Sequence, residues 1–183
     1  MVEFIDIVDE NNKFLVMKKK RNDVHKNGDW HRSSHIIIIN HKNEVLCNKR
    51  SSKKKWFPYH WDVIFGGHVK SGETFETTAI SELKEELCID IEMDELKFIG
   101  DFTSNREDKE KSTVNREFIK VYLLQTDKPV DRFEIQEEEV SEIKYIPIKK
   151  LIGILKHVNP KMKFIPEQEY YLLILSKIES IVR

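Results

Sequence analysis

The sequence predicts an α/β fold: a mixed sheet packed between helices as an α/β/α sandwich, with an N-terminal β-hairpin. Three observations carry this. Ser34 to Ile39 ends in successive isoleucines, the pattern of a strand covered on both faces. Phe75, Ala79, Leu83 and Leu87 recur at helical spacing and make one apolar stripe. Further strand-like and helix-like stretches follow, up to a last helix opened by Pro166.

In chain order, Glu3–Asp9 and Lys13–Met17 form the hairpin, within 1–20, turning at Asn11-Asn12. Lys18 to Arg21 is a solvated strand end, with a phosphate contact as the other reading. Asp23 to Arg32 reads as a loop that turns at Asn27-Gly28 and carries His25 and His31. Ser34–Ile39 is the central strand, and Glu44–Arg50 returns beside it after the turn Asn40–Asn43. Ser51 to Lys55 is either a solvated loop or a place where Arg50 and a lysine such as Lys53 meet an anionic substrate. Trp56 to Trp61 packs around Pro58, with one ring available to stack on a base or cover a prenyl-like group. Asp62–Phe65 is a short strand feeding Gly66.

Beyond the central helix, Leu96–Phe102 reads as a strand and Thr103–Asn115 as a charged loop suited to substrate selection. Glu117–Gln125 is a strand. The acidic run Gln136–Val140 leads into a strand over Ile143–Ile146, ended by Pro147. Lys149–His157 is a short helix stopped by Asn159-Pro160. The last helix, 166–182, turns Leu172, Leu175 and Ile178 to the core. All of it reads as a single domain over 1–183.

A net charge of −1 gives no attraction for a nucleic-acid polymer or a membrane surface. No stretch approaches the roughly 18 apolar residues of a span. Cys47 and Cys88 lack metal spacing and read as reduced thiols, and the start is acidic without a signal-peptide pattern. The expectation is a cytoplasmic protein acting on a small molecule; whether it forms a homodimer is open.

Glu82, Glu85 and Glu86 stand at i, i+3 and i+4, so their carboxylates share a helix face. Each like-charge pair there costs about 0.2–0.5 kcal/mol. The cluster is either a solvated face or a site for a hard cation, Mg²⁺ or Mn²⁺. Gly66 and Gly67 just upstream allow close backbone approach to phosphate or metal. The spacing resembles the Nudix box, Gly-x5-Glu-x7-Arg-Glu-apolar-x-Glu-Glu-x-Gly-apolar, over 67–89. It matches at Gly67, Glu73, Glu82, Leu83, Glu85, Glu86 and Ile89. Ser81 replaces the pattern's Arg, which orients neighbouring glutamates. Cys88 replaces its Gly, so the helix end is rearranged or Cys88 is strained.

The resemblance implies a Nudix-type α/β/α fold and Mg²⁺-dependent hydrolysis of a diphosphate linkage in a nucleotide or related pyrophosphate. It gives Glu82, Glu85 and Glu86 as metal ligands, joined by the Gly66 carbonyl; Gly67 and Arg50 are expected toward substrate from the glycine turn and the cation cluster instead. Glu73 supports the loop. The base is left open among Glu82, Glu117 and Glu137 to Glu139. His25, His31 and Gly67-His68 are further similar to the isopentenyl-diphosphate isomerases and their hydrolase relatives. There, comparable histidines hold a divalent metal with glutamates, which would make His25, His31 and His68 a possible second metal site here; loop hydrogen-bonding is the other reading. Isomerases carry Cys where this chain has Gly66, and Glu where it has Asn115, which favours hydrolysis over isomerisation. A non-catalytic binding domain is the third reading.

Overall fold

The computed structural model describes residues 2–108, 113–157 and 160–182. Among them nine strands form one mixed sheet. The expected hairpin is β1 (Phe4–Val8) and β2 (Phe14–Lys20), paired antiparallel. Asp9 closes its turn by accepting from the amides of Asn11 and Lys13, at 2.9 and 2.8 Å.

Asp23–Arg32 is not the expected loop. A short helix, α1 (Arg21–Asn27), occupies its first part, and β3 (Trp30–Ile39) begins four residues earlier than expected. Val24 explains the helix: it is fully buried against Ile5 and Ile7. Gly28 stops it at φ +68, the left-handed conformation that glycine adopts at little cost.

β3 is the spine of the sheet. It pairs in parallel with β8 (Thr113–Gln125) along its whole length. On its other edge it meets β1, then β6 (Phe65–His68), then β4 (Glu44–Arg50). The expected strand Asp62–Phe65 is two pieces, β5 (Trp61–Asp62) and β6, so Gly66 and Gly67 lie in a strand rather than a loop. β9 (Val140–Pro147) pairs with β4.

The described parts of the expected loop, Thr103–Asp108 and Thr113–Asn115, are likewise strand. β7 (Leu96–Asp108) runs antiparallel to β8, with Arg106 opposite Asn115 and Ser104 opposite Glu117. A sheet-edge hairpin exposes one set of side chains to water, so charged residues occupy strand positions there. Lys109 to Ser112, also part of that expected loop, lie outside the described residues, as does Asn159.

Helices cover both faces. α2 (Phe75–Leu87) buries its predicted stripe against Ile36, Ile38, Leu46 and Phe65. Leu83 is fully buried, and truncating it to Ala would cost about 2–5 kcal/mol. α3 (Ile148–Lys156) and α4 (Gln168–Ile181) pack on the opposite face against Ile37, Ile39, Val121 and Leu123. α4 buries Tyr171, Ile174, Leu175 and Ile178, leaving Leu172 half-buried. No helix among the described residues is long and apolar enough to cross a membrane.

Candidate active site

Thr74 caps α2, accepting from the Thr77 amide at 3.2 Å while the Thr77 hydroxyl accepts from the Thr74 amide at 2.9 Å. At the other end Cys88 sits at φ +49 and its amide closes on the Lys84 carbonyl at 3.1 Å. The helix end is thus kept as a glycine would keep it, at a backbone cost of roughly 1–2 kcal/mol.

This helix sets Glu82, Glu85 and Glu86 along a cleft of about 400 Å³. Oε2 of Glu86 is buried with no hydrogen-bond partner among the described residues. Burial, then the charge of Glu82, pushes the Glu86 carboxyl well above the usual range. Burial likewise pushes Glu82 up to about 7, against the pull of Lys70. Two carboxylates deprived of water, one without a donor, form the arrangement that a divalent cation satisfies. Glu73 is tied down instead: the buried Thr78 hydroxyl donates to its Oε2 at 2.7 Å.

Of the acidic run, Glu139 reaches this cleft and ion-pairs with Lys54, while Glu138 is held outside by Lys53 at 3.0 Å. Lys53, expected toward substrate, is therefore on the outer surface, and Lys54 takes the inner place. Arg50 lines the cleft and donates from Nε to the Trp56 carbonyl at 3.0 Å. The rings from Trp56 to Trp61 lie outside the cleft lining; Trp61 is in the core and Tyr59 faces solvent.

A second cluster joins four elements. His25 of α1, His31 of β3 and His68 of β6 bring ring nitrogens within 4.8 Å of one another. Glu117 of β8 lies 3.7 Å from His31 Nε2 and 3.6 Å from His68 Nε2. His31 Nδ1 contacts the Asp29 carbonyl at 3.0 Å. A carbonyl can only accept, so Nδ1 of His31 is the donor there, and its Nε2 faces the cluster. Nε2 of His25 and of His31 are buried without partners among the described residues. Burial, then His31, pulls His25 down to about 4, and burial also pulls His68 well down, so both rings are neutral. Burial alone would raise Glu117. His31 and His35, with bonds from Ser33 (2.5 Å) and Asn115 (2.7 Å), hold it below the usual range instead. The neutral imidazoles of His25 and His68, beside His31 and the ionised Glu117, suit a borderline divalent metal better than Mg²⁺.

The far wall of the cleft has no counterpart among the expectations from sequence. α4 reaches back with Tyr171, which donates to Asp62 at 2.8 Å, and Tyr170, whose hydroxyl meets His35 Nδ1 at 2.8 Å. Arg106 ion-pairs with Glu167 beside them. His31, Ser33 and His35 alternate along one face of β3, and that period of two was the available signal.

The NUDIX domain family model matches residues 29–168. The chain belongs to the Nudix family. It is 31% identical over 161 residues to Nudix hydrolase 3 of Arabidopsis thaliana, covering 86% of this chain but only 21% of that protein. It is 33% identical over 156 residues to an uncharacterized Nudix hydrolase of Clostridium acetobutylicum, covering 84% and 74% of the two chains. DR0079 of Deinococcus radiodurans has the same fold, with a TM-score of 0.73 at 22% identity over 96% of this chain and 98% of that one. The Nudix domain of Shewanella oneidensis NrtR, solved with ADP ribose, superposes with a TM-score of 0.60 at 14% identity, covering 84% and 89%.

Within the Nudix pattern, Gly66 is fixed by its backbone. Its φ is +131, and a Cβ there would lie 2.1 Å from the Ser34 backbone oxygen. The backbone of this Nudix chain leaves no room for the cysteine that isomerases carry at that place.

Proposed function

We propose that this chain hydrolyses the diphosphate linkage of a small organic pyrophosphate, such as a nucleoside di- or triphosphate, using Mg²⁺ or Mn²⁺ held by Glu82, Glu85 and Glu86 with the Gly66 carbonyl. The observation that carries this is the buried, unpartnered Oε2 of Glu86 beside Glu82 at the cleft. A bound divalent ion supplies charge neutralisation for phosphate and a water of lowered pKa.

The chain's own residues do the rest. Arg50 and Lys54 face the anion and hold it against repulsion from the carboxylates. Glu139, in the cleft and gripped by Lys54, is the residue we assign to take the proton from the attacking water. Its loop is fixed to the helix by the Gln136 amide, which donates to the Glu86 carbonyl at 3.1 Å. Glu117, bound by Ser33 and Asn115 and facing the histidines, serves a second cation at His25, His31 and His68. The unpaired thiols Cys47 and Cys88 favour a cytoplasmic setting.

Phosphate release from a panel of nucleotides, nucleotide sugars, ADP-ribose and prenyl diphosphates tests this. Turnover of at least one compound, dependent on Mg²⁺ or Mn²⁺, is expected; ligand-induced stabilisation without any turnover would move the reading to a binding domain.

The histidine cluster favours a second reading, isomerisation of isopentenyl diphosphate. That chemistry needs a proton donor and acceptor on opposite sides of a double bond. Gly66 supplies no side chain, and Asn115 donates an amide where isomerases have an acid. Entry of solvent deuterium into isopentenyl diphosphate would establish isomerisation instead.

A further inference from the structure

Position 81 stands one helical turn before Glu85, so an arginine there would reach the carboxylate face of α2. This chain has Ser81, whose hydroxyl is spent on the Thr78 carbonyl at 3.1 Å. A cation arrives from elsewhere. Lys70 Nζ lies 3.6 Å from Glu82 Oε1 and 3.2 Å from Glu85 Oε1. We propose that Lys70 is the positioning residue of this carboxylate cluster, replacing from the loop after β6 the arginine that the helix lacks.

The placement of Lys70 is built rather than incidental. Its backbone bridges to Ile5 in the manner of a strand. The next amide, Ser71, donates to the Phe4 carbonyl at 2.8 Å, and the Lys70 carbonyl accepts from the Glu73 amide at 2.9 Å. The N-terminal hairpin therefore fixes where this side chain starts, and the side chain is two-thirds covered, with 33% exposure. Lys70 bridges Glu82 and Glu85 and leaves Glu86 Oε2 without a hydrogen-bond partner among the described residues. It offsets their mutual repulsion and fixes their direction while the buried ligand stays free for a cation.

The proposal rests on Glu82, Glu85 and Glu86 holding a divalent ion, but its test needs no substrate. Mn²⁺ binding is measured by titration in the wild type, Lys70→Met, Lys70→Arg, Ser81→Arg and the double variant Lys70→Met/Ser81→Arg, with melting curves to confirm folding. The expected result is Mn²⁺ binding about 10- to 100-fold weaker in Lys70→Met. Recovery toward wild type is expected in Lys70→Arg and in the double variant, with little change in Ser81→Arg alone. If Lys70→Met bound Mn²⁺ as well as or better than the wild type, Lys70 would be a competitor for the cation and the proposal overturned. The same holds if folded Lys70→Met were weak and neither arginine restored it. Absence of turnover on every diphosphate, with the Mn²⁺ series as expected, would refute hydrolysis and leave the role of Lys70 standing.

Discussion

Gly67 packs directly against Glu82: a methyl group added to its α-carbon would lie 2.7 Å from the Glu82 Oε1 and 2.8 Å from Cδ. The atoms it would meet are the far end of a flexible side chain. Gly67→Ala is therefore expected to fold with a melting temperature within a few degrees of the wild type. Its kcat should fall by about tenfold or more, because the carboxylate must swing away from its place. Paired melting and initial-rate measurements check this; loss of stability with kcat intact would mean that Gly67 serves only the backbone.

Gly66 predicts the opposite split. Its φ of +131 and the 2.1 Å approach to the Ser34 carbonyl concern backbone, which cannot step aside cheaply. Gly66→Cys should lose roughly 3 kcal/mol or more of stability in urea unfolding and gain no isomerase activity. A stable variant that exchanged solvent deuterium into isopentenyl diphosphate would show that the backbone accommodates the thiol.

The carboxyl of Glu82, pushed up to about 7 by burial, gives a pH dependence with a definite sign. The unfolded chain loses this proton near 4.5, and the folded, metal-free chain keeps it until about 7. The folded state binds the extra proton between those values. The stabilisation is complete below the lower value and lost as pH rises through the higher one. Relative to Glu82→Gln, the metal-free wild type should lose about 2.5 kcal/mol between pH 5 and pH 8. Urea unfolding of both proteins with a chelator present measures it; a difference independent of pH would contradict the burial argument.

The histidine cluster predicts a second cation of different character. Zn²⁺ or Mn²⁺ at about 100 times its dissociation constant should stabilise the protein by about 2.7 kcal/mol. His31→Gln, which removes one of the unpartnered nitrogens, should lower the bound-metal stoichiometry by about one in elemental analysis while the carboxylate site still binds Mg²⁺. Unchanged stoichiometry would leave these rings as hydrogen-bonders.

What the sequence disclosed and what it hid follow from locality. The stripe Phe75, Ala79, Leu83, Leu87 and the three glutamates lie on one helix, so spacing alone places them. α1 was hidden because seven residues with one buried side chain, Val24, carry too little periodicity to distinguish helix from loop. The charged strand segments Thr103–Asp108 and Thr113–Asn115 were hidden because a sheet edge puts polar residues in extended backbone. Glu139 could not be chosen over its neighbours without knowing that Lys54, 85 positions away, would grip it. Lys70 was unreadable for the same reason: its meeting with Glu85 depends on where β1 fixes the loop. His35 and Tyr170 meet across 135 positions, although the alternation His31, Ser33, His35 marked one of them.

The most direct test of the account is the metal-dependent hydrolysis rate of Glu86→Gln against the wild type, on whichever diphosphate of the panel the wild type turns over fastest. The substitution keeps the shape of the side chain and removes the charge of the buried, unpartnered group. The account predicts a folded protein whose kcat falls by about 10²- to 10³-fold, with Mn²⁺ binding weakened in parallel. A Glu86→Gln protein that hydrolysed the same substrate at the wild-type rate would place the chemistry somewhere other than this helix.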